Sequence, residues 1–282
     1  MNLICNRDAR IVPFYVSARP HKNDCRAHRE TRLMRDKGLS TENSAQVTVS
    51  IVSHGHGALV SSLLADLAKH CGPTVNVVLT LNIPEPPPVG EASYPFALKI
   101  IRNASPRGFG ANHNAAFKYC ANQYYCILNP DVRLDENPFP TLIGELEKPK
   151  AGLVAPRIVN PEGSTEDSAR RFPTPWFIVR KFFGMTEELD YRIDRSTISP
   201  DWVAGMFMLF RKDVYAELSG FDERYFLYYE DVDLCRRLRK LGYDIRLLPS
   251  VAAIHDARRE SHGSLRHLRW HLASMLRFMA TR

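Results

Sequence analysis

Three separated clusters of this 282-residue chain hold side chains that could do chemistry. ILNPDVRL (127–134) is an apolar run that ends on Asn129, Pro130 and Asp131. Pro cannot donate to a sheet ladder and Asn and Asp are common turn residues, so one reading is a strand end followed by a turn. EDVDLC (230–235) sets Glu230, Asp231 and Asp233 on the first turn of a helix. There the helix dipole favours acidic residues for stability alone. The aromatic YFLYY just before them would also hold the carboxylates against an apolar wall, and a carboxylate in such a place can serve as a general base. His255, in IHDARRES, is either structural or, paired with a strand-end Asp131, part of an oxygen and nitrogen shell for a divalent metal that would neutralise a diphosphate.

A further stretch, NASPRGFGANHNAA (103–116), is a glycine-bearing loop that opens a helix, where backbone N–H groups and the helix dipole favour a phosphate. It is not a dinucleotide fingerprint, because GxG at 108–110 is followed by His113 where a third glycine should stand. A plain loop with a helix start is the competing reading.

The elements that must position these groups alternate in type. VTVSIVS (47–53) is a β-branched strand, after which Leu59, Leu63, Leu64 and Leu67 recur at helical spacing until Gly72-Pro73. Strands follow at 75–81, 98–102 and 124–128, with helices expected near 110–121 and 138–148 and a short strand GLVAP. Residues 157–200 are long, polar and irregular, the length of a functional lid or binding segment. WVAGMFMLF (202–210) reads as one buried strand, followed by a short helix in RKDVYAEL, a helix over about 230–241 and a last strand YDIRLLP. Strands alternating with helices predict an α/β protein with a Rossmann-like, mainly parallel central sheet flanked by helices. Ligands of such sheets bind beyond the carboxyl ends of the strands, where Ser53-His54-Gly55-His56, Asn82 and Asn129-Pro130-Asp131 all fall.

Composition narrows the function class. An apolar content of 44% can fill one large α/β core. No apolar run approaches the roughly 20 residues of a membrane-spanning helix, and MNLICNRDAR lacks a signal-peptide core, so a cytoplasmic protein is expected. Six cysteines without a CxxC pair read as reduced thiols, with Cys71, Cys120, Cys126 and Cys235 in apolar segments. The net charge of +7 suits an anionic partner: nucleic acid, anionic lipid or a phosphorylated substrate. No nucleic-acid-reading motif is present, which argues against the first. Residues 1–46 are charged and aperiodic and are expected to be a poorly ordered basic extension.

The ordered set of segments resembles family 2 glycosyltransferases of the GT-A fold, in particular their rhamnosyltransferase-like branch, over about residues 47–280. The matching pieces are SIVSHGH, NASPRGFGANHNAA, ILNPDVRL, VAPRIVNPEG, the run from Trp202 to Tyr243, and His255. The resemblance implies a metal-dependent, inverting enzyme of bacterial surface polysaccharide synthesis. Its donor would be a dTDP- or UDP-linked sugar such as rhamnose, and its acceptor a hydroxyl of a glycan or lipid-linked sugar. It implies that Ser53, His54, His56, Asn82, Arg107, Gly108, Asn112, Asn129 and Asp131 contact the donor and that Asp131 and His255 hold Mg2+ or Mn2+. Asp231 would be the base and Glu230 its support, with Asp201, Trp202 and Gly205 lining the acceptor and sugar pocket. Residues 47–135 would form the nucleotide-binding half and 136–282 the acceptor half. A non-catalytic sugar-nucleotide or glycan-binding relative with the same fold is the alternative.

LRHLRWHLASMLRFMA predicts a C-terminal amphipathic helix with Leu265, Leu268, Leu272, Met275, Leu276 and Met279 on one face. It either packs on the catalytic domain or lies, through 264–282, on an anionic membrane at the inner face of the cell membrane.

Overall fold

Val47–Ser53 is buried at every position but Val52, and its mostly β-branched side chains suit a strand covered on both faces. It is the first strand of a computed structural model that describes residues 46–88, 93–174, 190–256 and 265–281. The expected extension lies outside these residues, Gln46 apart, as do Cys5 and Cys25.

The element order is β1 (Val47–Ser53), α1 (Gly57–His70), β2 (Val75–Leu81), β3 (Leu98–Arg102), α2 (Phe109–Phe117), β4 (Tyr124–Leu128), β5 (Val132–Arg133), α3 (Phe139–Leu146), β6 (Ala151–Val159), β7 (Ala169–Arg170), β8 (Trp202–Val203), β9 (Phe207–Arg211), α4 (Lys212–Glu217), α5 (Glu230–Lys240), β10 (Asp244–His255) and α6 (Leu265–Ala280). Eight strands form one sheet in the order β3-β2-β1-β4-β9-β6-β10-β5, and β7 pairs with β8 in a two-stranded sheet. The first four run parallel, β9 is antiparallel to β4 and β6, β6 and β10 are parallel, and β5 closes the edge antiparallel to β10. The sheet is therefore mixed and mostly parallel.

Alternation along β4 shows how the two faces are filled. Tyr124, Cys126 and Leu128 join the cluster that takes in Leu63 and Leu67 of α1 and Leu142 of α3. Tyr125 and Ile127 point the other way, into the cluster with Tyr215 of α4 and Leu234 and Leu238 of α5. Cys71, Cys120, Cys126 and Cys235 are buried and free, as their apolar surroundings predict.

Three element boundaries differ from expectation, each for a local reason. The run 202–210 is two strands, because Ala204–Met206 turns away at Gly205 and only Phe207 onward rejoins the main sheet. The strand expected over GLVAP continues to Val159. The last strand runs past Pro249, where the sequence suggests a stop. A register shift between Leu248 and Ala252 bulges the proline out of the ladder, and pairing resumes beyond it. That continuation carries His255 to its pairing with Val132, one residue after Asp131.

Candidate active site

Asp131 and His255, 124 positions apart in sequence, meet at the carboxyl ends of their strands. The His255 Nε2 lies 3.2 Å from Asp131 Oδ2, and Asp256 donates its backbone N–H to the Asp131 carbonyl at 2.9 Å. The other ring nitrogen, Nδ1, stands 2.6 Å from Glu166 Oε2. Burial lowers the affinity of the ring for a proton, but the two flanking carboxylates outweigh it and lift the pKa to about 9. Asp131 Oδ1 is buried without a hydrogen-bond partner. An orphaned carboxylate oxygen beside an imidazole nitrogen is a donor set that fits a divalent cation. Among the described residues no group of three or more His, Cys, Asp or Glu side chains is placed to hold an ion. Water or ligand oxygens would therefore have to complete the shell, as is usual for Mg2+. Glu166 was not among the residues expected here; it lies in the polar stretch after β6, and no spacing in the sequence ties it to His255.

The acidic pair opens α5. Asp231 accepts from the Val232 N–H at 2.8 Å and from the Gly205 N–H at 3.2 Å. Glu230 is buried, and its Oε2 has no partner. Burial raises the pKa of both, and the charge of Asp231 pushes Glu230 further up. The amides facing Asp231 and the charge of Arg170 act against its shift. Glu230 therefore keeps the proton and Asp231 is the member left ionised. The turn before the helix is strained: Tyr228 and Tyr229 both adopt the left-handed region, with φ of 70° and 65°.

Gly205 connects this pair to the strand end of β4. Met206, the next residue, accepts the Asn129 N–H at 2.9 Å. A Cβ at 205 would stand 3.2 Å from the Phe109 ring and 3.9 Å from the Asp231 Cβ, so the Phe109 ring leaves little room there and Asp231 is within ordinary contact.

A cleft of about 1160 Å³ lies over these strand ends, and Phe109 is on its wall. Its lining includes Arg107, Arg266, His54, His56 and His267 against a single carboxylate, Asp131. That balance suits an anion with more than one charge. Asn82, Asn112 and Asn129 also line it, while Asp231, Glu230 and His255 are not among its lining residues. Ser53 is buried and accepts the His56 N–H at 3.2 Å, which fixes the entry to α1.

The asparagines have structural work. Asn82 donates to the Arg107 carbonyl (3.0 Å) and to His54 Nδ1 (3.2 Å) and accepts from Asn103 (2.9 Å) and the Arg107 N–H (2.8 Å). All four positions of its amide are filled by protein, so it sets Arg107 and His54 in place. Asn112 donates to the Arg107 and Gly108 carbonyls and accepts from Asn103. The expected phosphate cradle at 103–116 is accordingly not a ring of free amides. The N–H groups of Arg107 and Phe109 are bound by Asn82 and by the Phe226 carbonyl. Gly108 is required by that approach, since a Cβ there would lie 2.7 Å from the Phe226 carbonyl oxygen.

Asp201 accepts the Phe172 N–H at 2.9 Å, and Trp202 donates its indole N–H to the Arg171 carbonyl at 2.9 Å. Both lie outside the lining of the cleft, on the side of the small β7–β8 sheet.

Helix α6 packs on the domain, but not through the expected leucine face. Trp270 stacks on Phe226 at 4.7 Å, His267 Nδ1 meets the Tyr228 hydroxyl at 2.9 Å, Ser274 donates to the Leu227 carbonyl, and Phe278 is buried against the Arg236 guanidinium. Of that face Leu268, Leu272 and Leu276 point outward, 55%, 45% and 65% exposed, Met275 is half-buried, Met279 packs against the Tyr225–Val232–Phe278 cluster, and the Leu265 side chain lies outside the described ones. The polar and aromatic partners beneath the helix took the inward face, because the 225–236 segment offers hydroxyls, carbonyls and rings there. No helix among the described residues is long and apolar enough to cross a membrane.

Comparison with known proteins finds glycosyltransferases. Residues 90–218 match the family model described as glycosyl transferase family 2. The chain is 28% identical over 249 residues to the rhamnosyltransferase WbbL of Escherichia coli, covering 83% of this chain and 92% of that protein. It is 26% identical to an N-acetylglucosaminyl-diphospho-decaprenol L-rhamnosyltransferase of Mycobacterium tuberculosis, covering 83% and 84%. Among solved structures, the mannosyltransferase PcManGT of Pyrobaculum calidifontis, in complex with GDP-Man and Mn2+, superposes with a TM-score of 0.56 at 16% identity over 89% of this chain and 71% of that one. GalNAc-T7 with UDP, GalNAc and Mn2+ gives a TM-score of 0.62 at 15% identity, covering 84% of this chain; this chain spans about half of it, 48%. These two show a shared GT-A fold.

Proposed function

We propose that this chain, a glycosyltransferase carrying a family 2 domain, moves rhamnose or a similar sugar from a dTDP- or UDP-linked donor to a hydroxyl of a glycan or lipid-linked acceptor. The setting is bacterial surface polysaccharide synthesis. The observation that carries the reading is the Asp131–His255 pair, with one carboxylate oxygen unpartnered, beside a cleft lined by two arginines and three histidines against one carboxylate.

In this reading residues 47–135 hold the nucleotide and 136–282 the acceptor. Arg107 attracts the diphosphate into the cleft, with His54 and His56 beside it. Asp131 and His255 would hold Mg2+ or Mn2+, which when bound supplies positive charge to the departing diphosphate. Asp231 takes the proton of the acceptor hydroxyl as its oxygen bonds to the anomeric carbon and the bond from that carbon to the phosphate oxygen breaks. One displacement from the opposite face inverts the centre. Burial raises the pKa of Asp231, which makes it a stronger base than an exposed aspartate once ionised. Glu230, protonated beside it, adds no second negative charge. The leaving diphosphate needs no proton, so no acid partner is required, unlike in a glycosidase.

The outward leucines of α6 stand beside Arg269, also on an exposed position, while Arg266 turns to the cleft. A leucine stripe flanked by an arginine suits the anionic surface of a membrane in which lipid-linked acceptors reside, at its cytoplasmic face.

The test is donor turnover with dTDP-rhamnose and UDP-sugars in Mn2+ and in EDTA, for the unaltered protein and for Asp231→Asn and Asp131→Ala. Asp231→Asn should abolish transfer while donor binding persists, and Asp131→Ala should remove the dependence of donor binding on the metal. Full transfer by Asp231→Asn, or turnover indifferent to EDTA, overturns the corresponding role.

A further inference from the structure

Glu166 is used by nothing in the mechanism, yet it makes one of the shortest polar contacts in the site. Its Oε2 lies 2.6 Å from His255 Nδ1, on the side of the ring away from Asp131. The segment that carries it is tied to the sheet by backbone bonds. Glu166 N–H donates to the Ile158 carbonyl on β6, Asn160 N–H to the Ser164 carbonyl, and Ser168 N–H to the Glu166 carbonyl, each at 2.9 Å. Ala204 N–H in turn donates to the Ser168 carbonyl at 2.9 Å, one residue before the Gly205 that holds Asp231. The carboxylate is thus presented from a fixed loop.

An imidazole that binds a cation through one nitrogen is usually oriented by an acceptor on the other. His255 has such an acceptor, and Asp131 presents its unpartnered oxygen on the opposite side. We infer that Glu166 is the positioning residue of the cation site. It takes the Nδ1–H of His255 and so directs the Nε2 lone pair towards the ion that Asp131 shares. The same carboxylate ties the cation site to the polar stretch 160–172, whose far end meets the acceptor side through Arg170 and Trp202. This inference rests on the proposed metal role of Asp131 and His255, and the experiment separates the two.

Titration of the full-length protein with Mn2+ alone, and with Mn2+ in the presence of UDP, is followed by the electron paramagnetic resonance signal of free Mn2+. It is run on the unaltered chain, Glu166→Ala, Glu166→Gln, His255→Ala and the double variant Glu166→Ala/His255→Ala. Glu166→Ala should weaken Mn2+ by roughly 10- to 100-fold, and Glu166→Gln, which keeps an acceptor oxygen, should recover much of it. The double variant should bind no more weakly than His255→Ala, because Glu166 acts only through that ring. In 15N spectra the His255 ring should hold its proton on Nδ1 in the Mn2+-free neutral form and lose that preference in Glu166→Ala. Normal Mn2+ affinity in Glu166→Ala together with weak affinity in His255→Ala overturns the positioning role and leaves the metal reading intact. Normal affinity in His255→Ala overturns both. Glu166→Gln keeps the side-chain volume, so it carries the test should Glu166→Ala fail to fold; a tautomer unchanged in Glu166→Gln alongside affinity lost as in His255→Ala would also overturn it.

Discussion

Replacing Gly108 by alanine tests how closely the two halves of the site are fitted. Its φ of −64° and ψ of 161° are open to any residue, so the dihedrals carry no penalty. Space does. The new Cβ would lie 2.7 Å from the Phe226 carbonyl oxygen and 2.9 Å from the Phe226 Cα, where ordinary contact begins at 3.4 Å. Both atoms are backbone and cannot rotate aside, so the segments must part by about 3.4 − 2.7 = 0.7 Å. That opens the 3.0 Å bond from Phe109 N–H to the Phe226 carbonyl to nearly 3.7 Å, beyond hydrogen-bond range. A lost bond of about 1 kcal/mol and overpacking of about 1–3 kcal/mol sum to about 2–4 kcal/mol. For a domain of this size that lowers the melting temperature by about 5–15 °C. The displaced segment leads directly into Glu230 and Asp231, and a shift approaching 1 Å costs up to about 100-fold in kcat. Gly144, inside α3 with nothing within 4 Å of its would-be Cβ, is the control, and alanine there should be neutral or stabilising. Gly108→Ala with unchanged melting and unchanged turnover would refute the reasoning.

Stability should vary with pH in two opposed ways. Burial holds His113 near a pKa of about 3, so below the unfolded value of 6.5 the unfolded chain binds a proton that the native ring refuses. Up to about 1.4 kcal/mol should be lost per pH unit on acidification, and a urea midpoint no lower at pH 5.5 than at 6.5 would contradict it. His255, lifted to about 9, contributes stability that is complete below pH 6.5 and fades as pH rises through 9. In metal-free protein the urea midpoint should therefore fall between pH 7 and 9, and a His255→Ala variant should show no such fall. Changing Leu268, Leu272 and Leu276 to serine should reduce co-sedimentation with anionic vesicles at least about tenfold while transfer to a water-soluble acceptor is kept; equal sedimentation removes the membrane contact.

Much of the site was legible because of strand ends. Asp131 follows an apolar run closed by a proline, and Asp231 opens a helix behind an aromatic run, so each could be placed at an element boundary from residue type alone. His255 was placed there too, but the sequence implied a strand that stopped at Pro249. The bulge that lets β10 continue depends on pairing with β6, which no local pattern reveals. Glu166 could not be found at all: a lone glutamate in a polar loop looks like any solvated charge until the chain is folded. The roles of Asn82 and Asn112 were hidden for a similar reason. A strand-end asparagine suits a ligand or a loop equally well, and only the neighbours that fill its amide decide between them. Only the leucines of the face expected on α6 share the outward side, Met279 being drawn inward, and no direction could be assigned because the partners of the opposite face lie some 40 residues earlier in the chain.

That helix joins the strain in the site to its chemistry. Two adjacent tyrosines in the left-handed region cost about 1–3 kcal/mol each, and such a turn persists only where its surroundings hold it. Here nearly every residue of the turn is held by α6. Phe226 stacks on Trp270, the Leu227 carbonyl accepts from Ser274, Tyr228 bonds His267, and Tyr229 packs on His271 and Phe278. The turn ends at Glu230, so its geometry sets where Asp231 stands relative to Gly205. The inward face of α6 therefore fixes the turn that leads to Asp231, the residues at its start line the cleft, and the outward leucines are left for a surface. A helix serving only as an anchor would not need to satisfy the hydroxyls and carbonyls of a strained turn. One serving only as packing would have buried its leucines.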